Sequence, residues 1–276
     1  MNITAKTKIC MIIGDPVEHS LSPQMHNAGY EALHIDDQFV NVAARVHVKD
    51  IAQTINAVKL LGIRGLICTV PHKVAVIPYL DTIDPIAEKI GAVNTVINND
   101  GILTGHNTDW LGVSAPLERV IDLQDKTVAI LGAGGAARAA IYAATSKGAK
   151  VTIYNRTVSH AEELAKEFAG KAFSLHDMQR IQEADIIINT TSVGLHPHEN
   201  ETPLDKKYIL KKHIVFDVVY TVHGTTRLLD EAKNQGATTI SGIEMLLHQG
   251  LEQFELFTGY KAPEEAMRKV ILNTIV

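Results

Sequence analysis

Short apolar runs alternate along this chain with stretches whose apolar positions recur at helical spacing. The runs at 9–13, 39–42, 65–70, 91–97, 128–131, 151–154, 184–189, 214–220 and 238–240 predict strands. Between them, helical spacing predicts a helix entered through Pro23 and carrying Met25, Ala28 and Leu33, with Ser22 as its cap. Further helices are predicted over 48–61 and 83–90, after Pro71, after Asp109, and over 138–147, 161–168, 228–236, 243–258 and 263–273. Gly62 and Gly148 stop two of them. Asn98-Asn99-Asp100-Gly101 reads as a hairpin turn, with 102–105 pairing back. Residues 111–126 read as a link. The alternation points to an α/β protein with mostly parallel strands.

The stretch 128–157 is the most informative. The apolar run 128–131 is followed by Gly132-Ala133-Gly134-Gly135-Ala136-Ala137, a Gly-x-Gly-x-x-Ala turn, then an alanine-rich helix and a second strand. The first glycine permits the tight turn, and the second lets backbone N–H groups approach a pyrophosphate. The small Ala137 lets the helix pack close to the sheet. A helix N-terminus aimed at an anion completes a dinucleotide-binding βαβ unit. An acidic residue commonly ends the second strand to hold a ribose hydroxyl. Here Asn155-Arg156-Thr157 stand there. Arg156 can face a 2′-phosphate and no carboxylate repels it, which favours NADP over NAD.

Composition narrows the class. The chain has 276 residues, enough for one large or two ordinary domains. Its net charge of −5 leaves no basic footprint for nucleic acid. No apolar run reaches the length of a membrane span, and the run at 9–13 is too short for a signal peptide. Cys10 and Cys68 both lie inside apolar runs, which predicts buried, reduced thiols and a cytoplasmic protein.

Several polar residues stand where strands end. The run at 9–13 breaks into a loop rich in turn formers that carries Ser20 and Ser22. Their hydroxyls could face a polar ligand, but spacing alone favours turn and cap roles. Lys73 falls in the first turn of its predicted helix, where the dipole disfavours a cation; such a lysine either turns to solvent or is kept for a reason. Asp109 at a helix start reads as a cap when taken alone. His196-Pro197-His198 suggests a metal only with further ligands at fixed spacing; none is present, so no metal is expected. The expected organisation is a βα domain over 1–110, rejoined by 242–276, and a Rossmann-like domain over 111–241. A cleft between two such domains is a usual place for hydride transfer.

Taken together, the motifs resemble the shikimate dehydrogenase family over nearly the whole chain. The matching segments include Gly14-Asp15-Pro16, His19-Ser20-Leu21-Ser22-Pro23, Met25-His26-Asn27, Thr69-Val70-Pro71-His72-Lys73 and Gly91-Ala92-Val93-Asn94-Thr95. They continue through Gly105 with Asn107-Thr108-Asp109 and Gly112, the glycine turn, Asn155-Arg156-Thr157, and Asn189-Thr190-Thr191 with Gly194. Asp217 with Tyr220, and Gly242 with Met245-Leu246 and Gln249, close the series.

The resemblance implies reversible NADP-dependent reduction of 3-dehydroshikimate to shikimate. It implies that Ser20 and Ser22 hold the substrate carboxylate with Tyr220 nearby, that Thr69, Asn94 and Gln249 bind ring hydroxyls, and that Lys73 and Asp109 are the catalytic pair. It places the cofactor on Gly132, Ala133, Gly134, Gly135, Ala136, Asn155, Arg156, Thr157, His160, Thr191, Val218 and Gly242. A small-molecule substrate is the expected partner, with no nucleic acid or membrane, for a monomer or homodimer. The chain departs from the family pattern at Ile67-Cys68, where Asn-Val is usual, and at His160, where a second basic residue is usual. Val222 replaces a proline in a segment one residue longer than usual. These departures suit a quinate/shikimate dehydrogenase using NAD or NADP. A catalytically idle NADP-binding regulator is the alternative from another class, and the intact Lys73 and Asp109 argue against it.

Overall fold

A computed structural model describes residues 3–195, 197–221 and 224–275. In chain order the first elements are β1 (Lys8–Gly14), α1 (Ser22–Ala32), β2 (Phe39–Arg45), α2 (Ile51–Leu60), β3 (Gly65–Cys68), α3 (His72–Ala75), β4 (Thr82–Ile83), α4 (Pro85–Ile90), β5 (Thr95–Asn99) and β6 (Ile102–His106). There follow α5 (Asp109–Glu118), β7 (Thr127–Leu131), α6 (Gly135–Thr145), β8 (Lys150–Asn155), α7 (Val158–Glu167), β9 (Lys171–Ser174), β10 (Ile186–Asn189), β11 (Ile214–Asp217), α8 (Arg227–Asn234), β12 (Thr238–Ile240), α9 (Gly242–Thr258) and α10 (Glu264–Thr274).

The chain divides into two compact units. One runs to Thr108 and takes back Gln249–Thr274; the other is Asp109–His248 with the chain end. Relative to boundaries expected after 110 and 241, the divide lies two residues earlier and seven later. The first turns of α9 stay with the second unit because Met245 packs into its core.

In the first unit the strand order is β2-β1-β3-β5-β6-β4. Every neighbouring pair is parallel except those made by β5, which runs antiparallel to β3 and β6. Residues of β1 and β3 alternate between two covered faces. Ile13, Leu66 and Cys68 meet Ile51, Ile55 and Val58 of α2. On the other face Gly65 lies so close to the Phe257 ring that no Cβ fits, and Tyr30 of α1 packs on Phe254 at 5.2 Å. The expected hairpin is present: Asn99 pairs with Ile102 across Asp100 and Gly101, both at positive φ (52° and 89°). That is a two-residue primed turn, which glycine favours.

In the second unit all six strands are parallel, in the order β9-β8-β7-β10-β11-β12. Numbered from β7, this is the 3-2-1-4-5-6 order of a doubly wound dinucleotide sheet. Val128, Ile130, Ile186, Ile188 and Phe216 face α5 and α6; Ala129, Leu131, Ile187 and Val215 face α8. Ala137, Ala140 and Ala144 on α6 are fully buried, so the helix sits close to the sheet, as expected for a small residue ending the glycine motif.

Some expected elements move. The segment read as a link contains most of α5, with Pro116 inside the helix. A helix was expected after Asp109, but this proline and the mixed polarity around it concealed how far it runs; its Val113 and Leu117 are fully buried. The strand expected over 91–97 begins at Thr95, after Gly91 has closed α4 at a φ of 69°. The strand expected over 214–220 ends at Asp217, whose side chain turns the chain by accepting from the Val219 N–H at 3.1 Å. Among the described residues no helix is long and apolar enough to cross a membrane. Both cysteines are free and fully buried, and burial pushes each thiol up to about 12.

Candidate active site

In the first unit, the loops leaving β1 and β3 are pinned side by side. The Thr69 N–H donates to Ile13 O (3.0 Å), the Asp15 N–H donates to Val70 O (3.0 Å), and the Gly14 Cα faces Thr69 so closely that a Cβ would stand 2.6 Å from its Cγ2. Asp15 is fixed in turn by Arg45 Nε and His47 Nδ1, both at 2.7 Å, and these contacts hold its carboxyl below the usual range.

Ser20 lies on the first loop. Its Oγ accepts from the Ser22 N–H at 3.3 Å, so its role in the turn is realised. Ser22 is not the helix cap. Leu21 occupies that position with α-region backbone and no side-chain bond, and Ser22 is already helical and buried. The chain enters the helix one residue earlier than expected, which frees the Ser22 hydroxyl from capping.

Lys73 follows in α3. That helix has only four residues, so its first turn is also its last. The dipole objection to a cation there therefore disappears, since a macrodipole needs several aligned peptides. The Lys73 backbone O accepts from the Val93 N–H at 2.7 Å, which ties it to the residue preceding Asn94. Its ammonium is near enough to Cys68 to oppose the upward push of burial on that thiol. His72 beside it is fully buried, with Nε2 2.8 Å from Val46 O.

Asn94 is the most constrained member. Its Oδ1 accepts from the Thr108 N–H (2.8 Å) and the Thr95 hydroxyl (2.8 Å); its Nδ2 donates to Thr108 Oγ1 (3.0 Å) and reaches Gln249 Oε1 at 3.5 Å. The structure thus brings together two of the expected ring-hydroxyl binders, 155 residues apart in the chain. Gln253 Nε2, one turn beyond Gln249, donates to Thr95 Oγ1 at 3.0 Å. Thr95, Thr108 and Gln253 were not anticipated as site residues. The legible signal was the polar pair Asn94-Thr95 inside the otherwise apolar run 91–97.

The second unit carries the remaining candidates. Asp109 opens α5 and is 3% exposed, an unusual burial for a carboxylate that calls for partners. The glycine turn follows β7. Gly132 adopts a φ of 110°, and a Cβ there would stand 2.7 Å from Thr190 Oγ1, so only glycine fits. Gly134 caps α6, and no described atom lies within 4 Å of where its Cβ would stand. The backbone is open there, and the free N–H groups of Gly135 and Ala136 begin the helix beside it. Ala133 packs against the core below. This cradle fits a pyrophosphate. Asn155 Nδ2 donates to Thr157 O (2.9 Å), which shapes the turn; Arg156, Thr157 and His160 are exposed around it, with no carboxylate in that turn. The turn fits a 2′-phosphate.

The loops after β10 and β11 share one buried network. Asn189 Oδ1 accepts from the Thr191 N–H (3.0 Å) and hydroxyl (2.7 Å), while Asn189 Nδ2 donates to Asp217 Oδ1 (2.9 Å). Asp217 Oδ2 accepts from the Thr226 hydroxyl at 2.6 Å, and Thr226 also caps α8. Burial pushes the Asp217 carboxyl up to about 6, against the lowering effect of these donors. The network holds Thr191 at the carboxyl end of β10, which flanks the switch point between β7 and β10, and Val218 and Tyr220 at the carboxyl end of the neighbouring β11; ligands of such sheets bind at this edge. Gly242 starts α9 against the same loop, with Val218 O and Val219 O each 2.5 Å from where its Cβ would stand. A charged residue in the middle of the apolar run at 214–220 was the visible sign of this network. His198 is paired with Glu201 at 2.7 Å; His196 and Val222 lie outside the described residues. Among the described residues no three His, Cys, Asp or Glu side chains gather as a metal site.

A parallel sheet in this strand order, with its glycine turn and helix N-terminus, defines a dinucleotide-binding α/β protein. Family models describe the rest. Residues 12–96 match the shikimate dehydrogenase substrate binding domain, 116–219 match shikimate / quinate 5-dehydrogenase, and 242–272 match the shikimate 5′-dehydrogenase C-terminal domain. The chain is 40% identical to the shikimate dehydrogenase (NADP(+)) of Methanosphaera stadtmanae over 98% of both chains. It is 41% identical to that of Moorella thermoacetica over 98% of this chain and 95% of the relative. Among solved structures, a shikimate dehydrogenase in complex with NADP+ superposes with a TM-score of 0.93 at 39% identity, covering 99% of this chain and 98% of the other. The chain belongs to the shikimate dehydrogenase family, and it is an oxidoreductase.

Proposed function

We propose that this protein catalyses the NADP-dependent, reversible reduction of 3-dehydroshikimate to shikimate. The observation that carries the reading is the buried amide pair Asn94 and Gln249, set beside the residue whose N–H binds the Lys73 carbonyl, in a chain that matches named shikimate dehydrogenases end to end. NADPH, when bound, supplies the hydride. As the ring carbonyl is reduced, negative charge builds on its oxygen and needs a positioned proton donor. The Lys73 ammonium gives that proton; in the oxidation direction its neutral amine takes it back. Asp109 is the carboxylate of the catalytic pair and orients the amine. Ser20, Ser22 and Tyr220 hold the substrate carboxylate, and Thr69, Asn94 and Gln249 hold the ring hydroxyls.

The unit built on β1–β6 is the substrate-binding domain and the unit built on β7–β12 the dinucleotide domain. Gly132, Ala133, Gly134, Gly135 and Ala136 take the pyrophosphate, Asn155, Arg156, Thr157 and His160 the 2′-phosphate, and Thr191, Val218 and Gly242 the nicotinamide end. The protein acts in the cytoplasm, in keeping with its buried free thiols, as a monomer or homodimer.

A substrate-by-cofactor matrix tests the reading: initial rates with shikimate or quinate, each with NADP or NAD. Shikimate with NADP gives the highest kcat/KM. Lys73→Ala lowers kcat by several orders of magnitude with a smaller change in KM; near-full turnover in that variant removes the assignment. A second reading, use of quinate and NAD, is favoured by the 2′-phosphate turn, where Arg156 is the one permanently charged side chain among 155–160. The same matrix separates the two, and a flat NADPH-band absorbance trace on adding shikimate would instead indicate an idle regulator.

A further inference from the structure

Asn94 offers its amide to the space beside Gln249, and what holds that amide in one orientation lies behind it. The Thr95 hydroxyl has one hydrogen. Because Gln253 Nε2 donates into its oxygen (3.0 Å), that hydrogen is directed to Asn94 Oδ1 (2.8 Å). The Thr108 N–H donates to the same Oδ1 at 2.8 Å. Oδ1 is thereby committed inward, and Nδ2 is the atom turned toward Gln249 Oε1, at a long 3.5 Å. Thr95 and Gln253 are both 0% exposed, so water does not compete for these bonds. Behind Gln253 lies His26, also 0% exposed, the polar ring beside its side chain. The relay belongs to one unit and ends on the residue that reads the substrate.

We propose that Gln253 is a positioning residue, which acts through the Thr95 hydroxyl to keep the Asn94 amide turned so that it donates to a ring hydroxyl of the substrate while Gln249 accepts from it. This rests on the reading of Asn94 and Gln249 as hydroxyl binders. Without the Gln253 donor the Thr95 hydroxyl is free to rotate away, and Asn94 Oδ1 loses one of its two shortest inward bonds.

The test uses Gln253→Leu, Thr95→Val, which removes the hydroxyl at equal size, and Thr95→Ser, which keeps it. KM for shikimate rises about tenfold in the first two, the worth of one net hydrogen bond. Meanwhile kcat stays within about threefold, KM for NADP is unmoved, and the double variant is no worse than the larger single one. Thr95→Ser restores the original KM. A purely space-filling role would not separate valine from serine in this direction. Independently of turnover, the Asn94 side-chain amide is followed by 1H–15N NMR. Its two protons exchange slowly in the parent and in Thr95→Ser, and at least tenfold faster in Gln253→Leu and Thr95→Val. Unchanged Asn94 exchange in both of those variants overturns the relay. So does a KM that rises equally with serine. A parent protein inert toward shikimate overturns the functional reading instead, and the NMR result still decides the relay.

Discussion

A change of pH should act on the two units through different side chains and in opposite directions, and His26 gives the sharper case. Its imidazole is 0% exposed, enclosed by Tyr30, Phe254 and Phe257 with ring centroids 6.2, 6.3 and 5.8 Å away. Burial lowers it from the usual 6.5 to about 4, against a smaller raising effect of Gln253. The unfolded chain therefore takes up a proton at a pH where the folded one does not. Stability is fully present above the unfolded value and is lost as pH falls toward the folded one. The full shift of about 2.5 units corresponds to about 3 kcal/mol, and the part expressed between pH 7 and pH 5 is about 2 kcal/mol.

The assay is urea unfolding of the parent and His26→Leu at pH 7, 6 and 5. Because both cysteines are buried in the first unit, labelling with dithiodipyridine, which reacts in acid, reports that unit; the single tryptophan, Trp110, reports the second. Whatever His26→Leu costs at pH 7, it should recover about 2 kcal/mol relative to the parent by pH 5, in the thiol signal. Other groups titrate equally in both proteins and cancel. Parallel stability curves over this range would mean that His26 titrates alike in the folded and unfolded states, and the burial argument would be refuted.

Asp217 should give the opposite slope in the other unit. Its folded value is raised from 3.8 to about 6, so stability is highest below pH 4 and falls by about 3 kcal/mol as pH rises through 6. Asp217→Asn should flatten that fall in Trp110 fluorescence melts. Gly242→Ala should lower the melting temperature and weaken NADP binding together, because its methyl meets two backbone carbonyls that cannot step aside; a variant with parent-like melting and affinity counts against the close approach. Arg156→Ala should raise KM for NADP about tenfold or more and leave KM for NAD within about twofold, since a 2′-phosphate loses a charged hydrogen bond and a hydroxyl does not.

Much of the fold was legible because its strands are covered on both sides and read as unbroken apolar runs. The runs at 9–13, 65–70, 128–131 and 184–189 all became strands. What escaped were elements without such a run: β4 has two residues, and β9 is exposed or half-buried along its length. The start of α5 was legible at Asp109, but the proline within it hid how far the helix runs. At the site, local spacing misplaced Ser22 as a cap, and the dipole argument about Lys73 failed on the shortness of α3. The Asn94–Gln249 contact joins residues too far apart for any spacing rule, and only the family resemblance pointed to both. Gln253 and Asp217 carried no local signature beyond polarity in an apolar setting. Their importance comes from partners that the fold, not the neighbouring sequence, supplies.

Three glycines discussed above differ in what demands them. At 132 and 242 a side chain would collide with the protein itself, so the architecture needs glycine there. At 134 a methyl would meet open space, so the architecture makes no such demand. A descendant that swapped residue 134 for something bulky while sparing the other two would keep its shape and shed its nucleotide, which makes that single position a marker for telling working catalysts from silent copies.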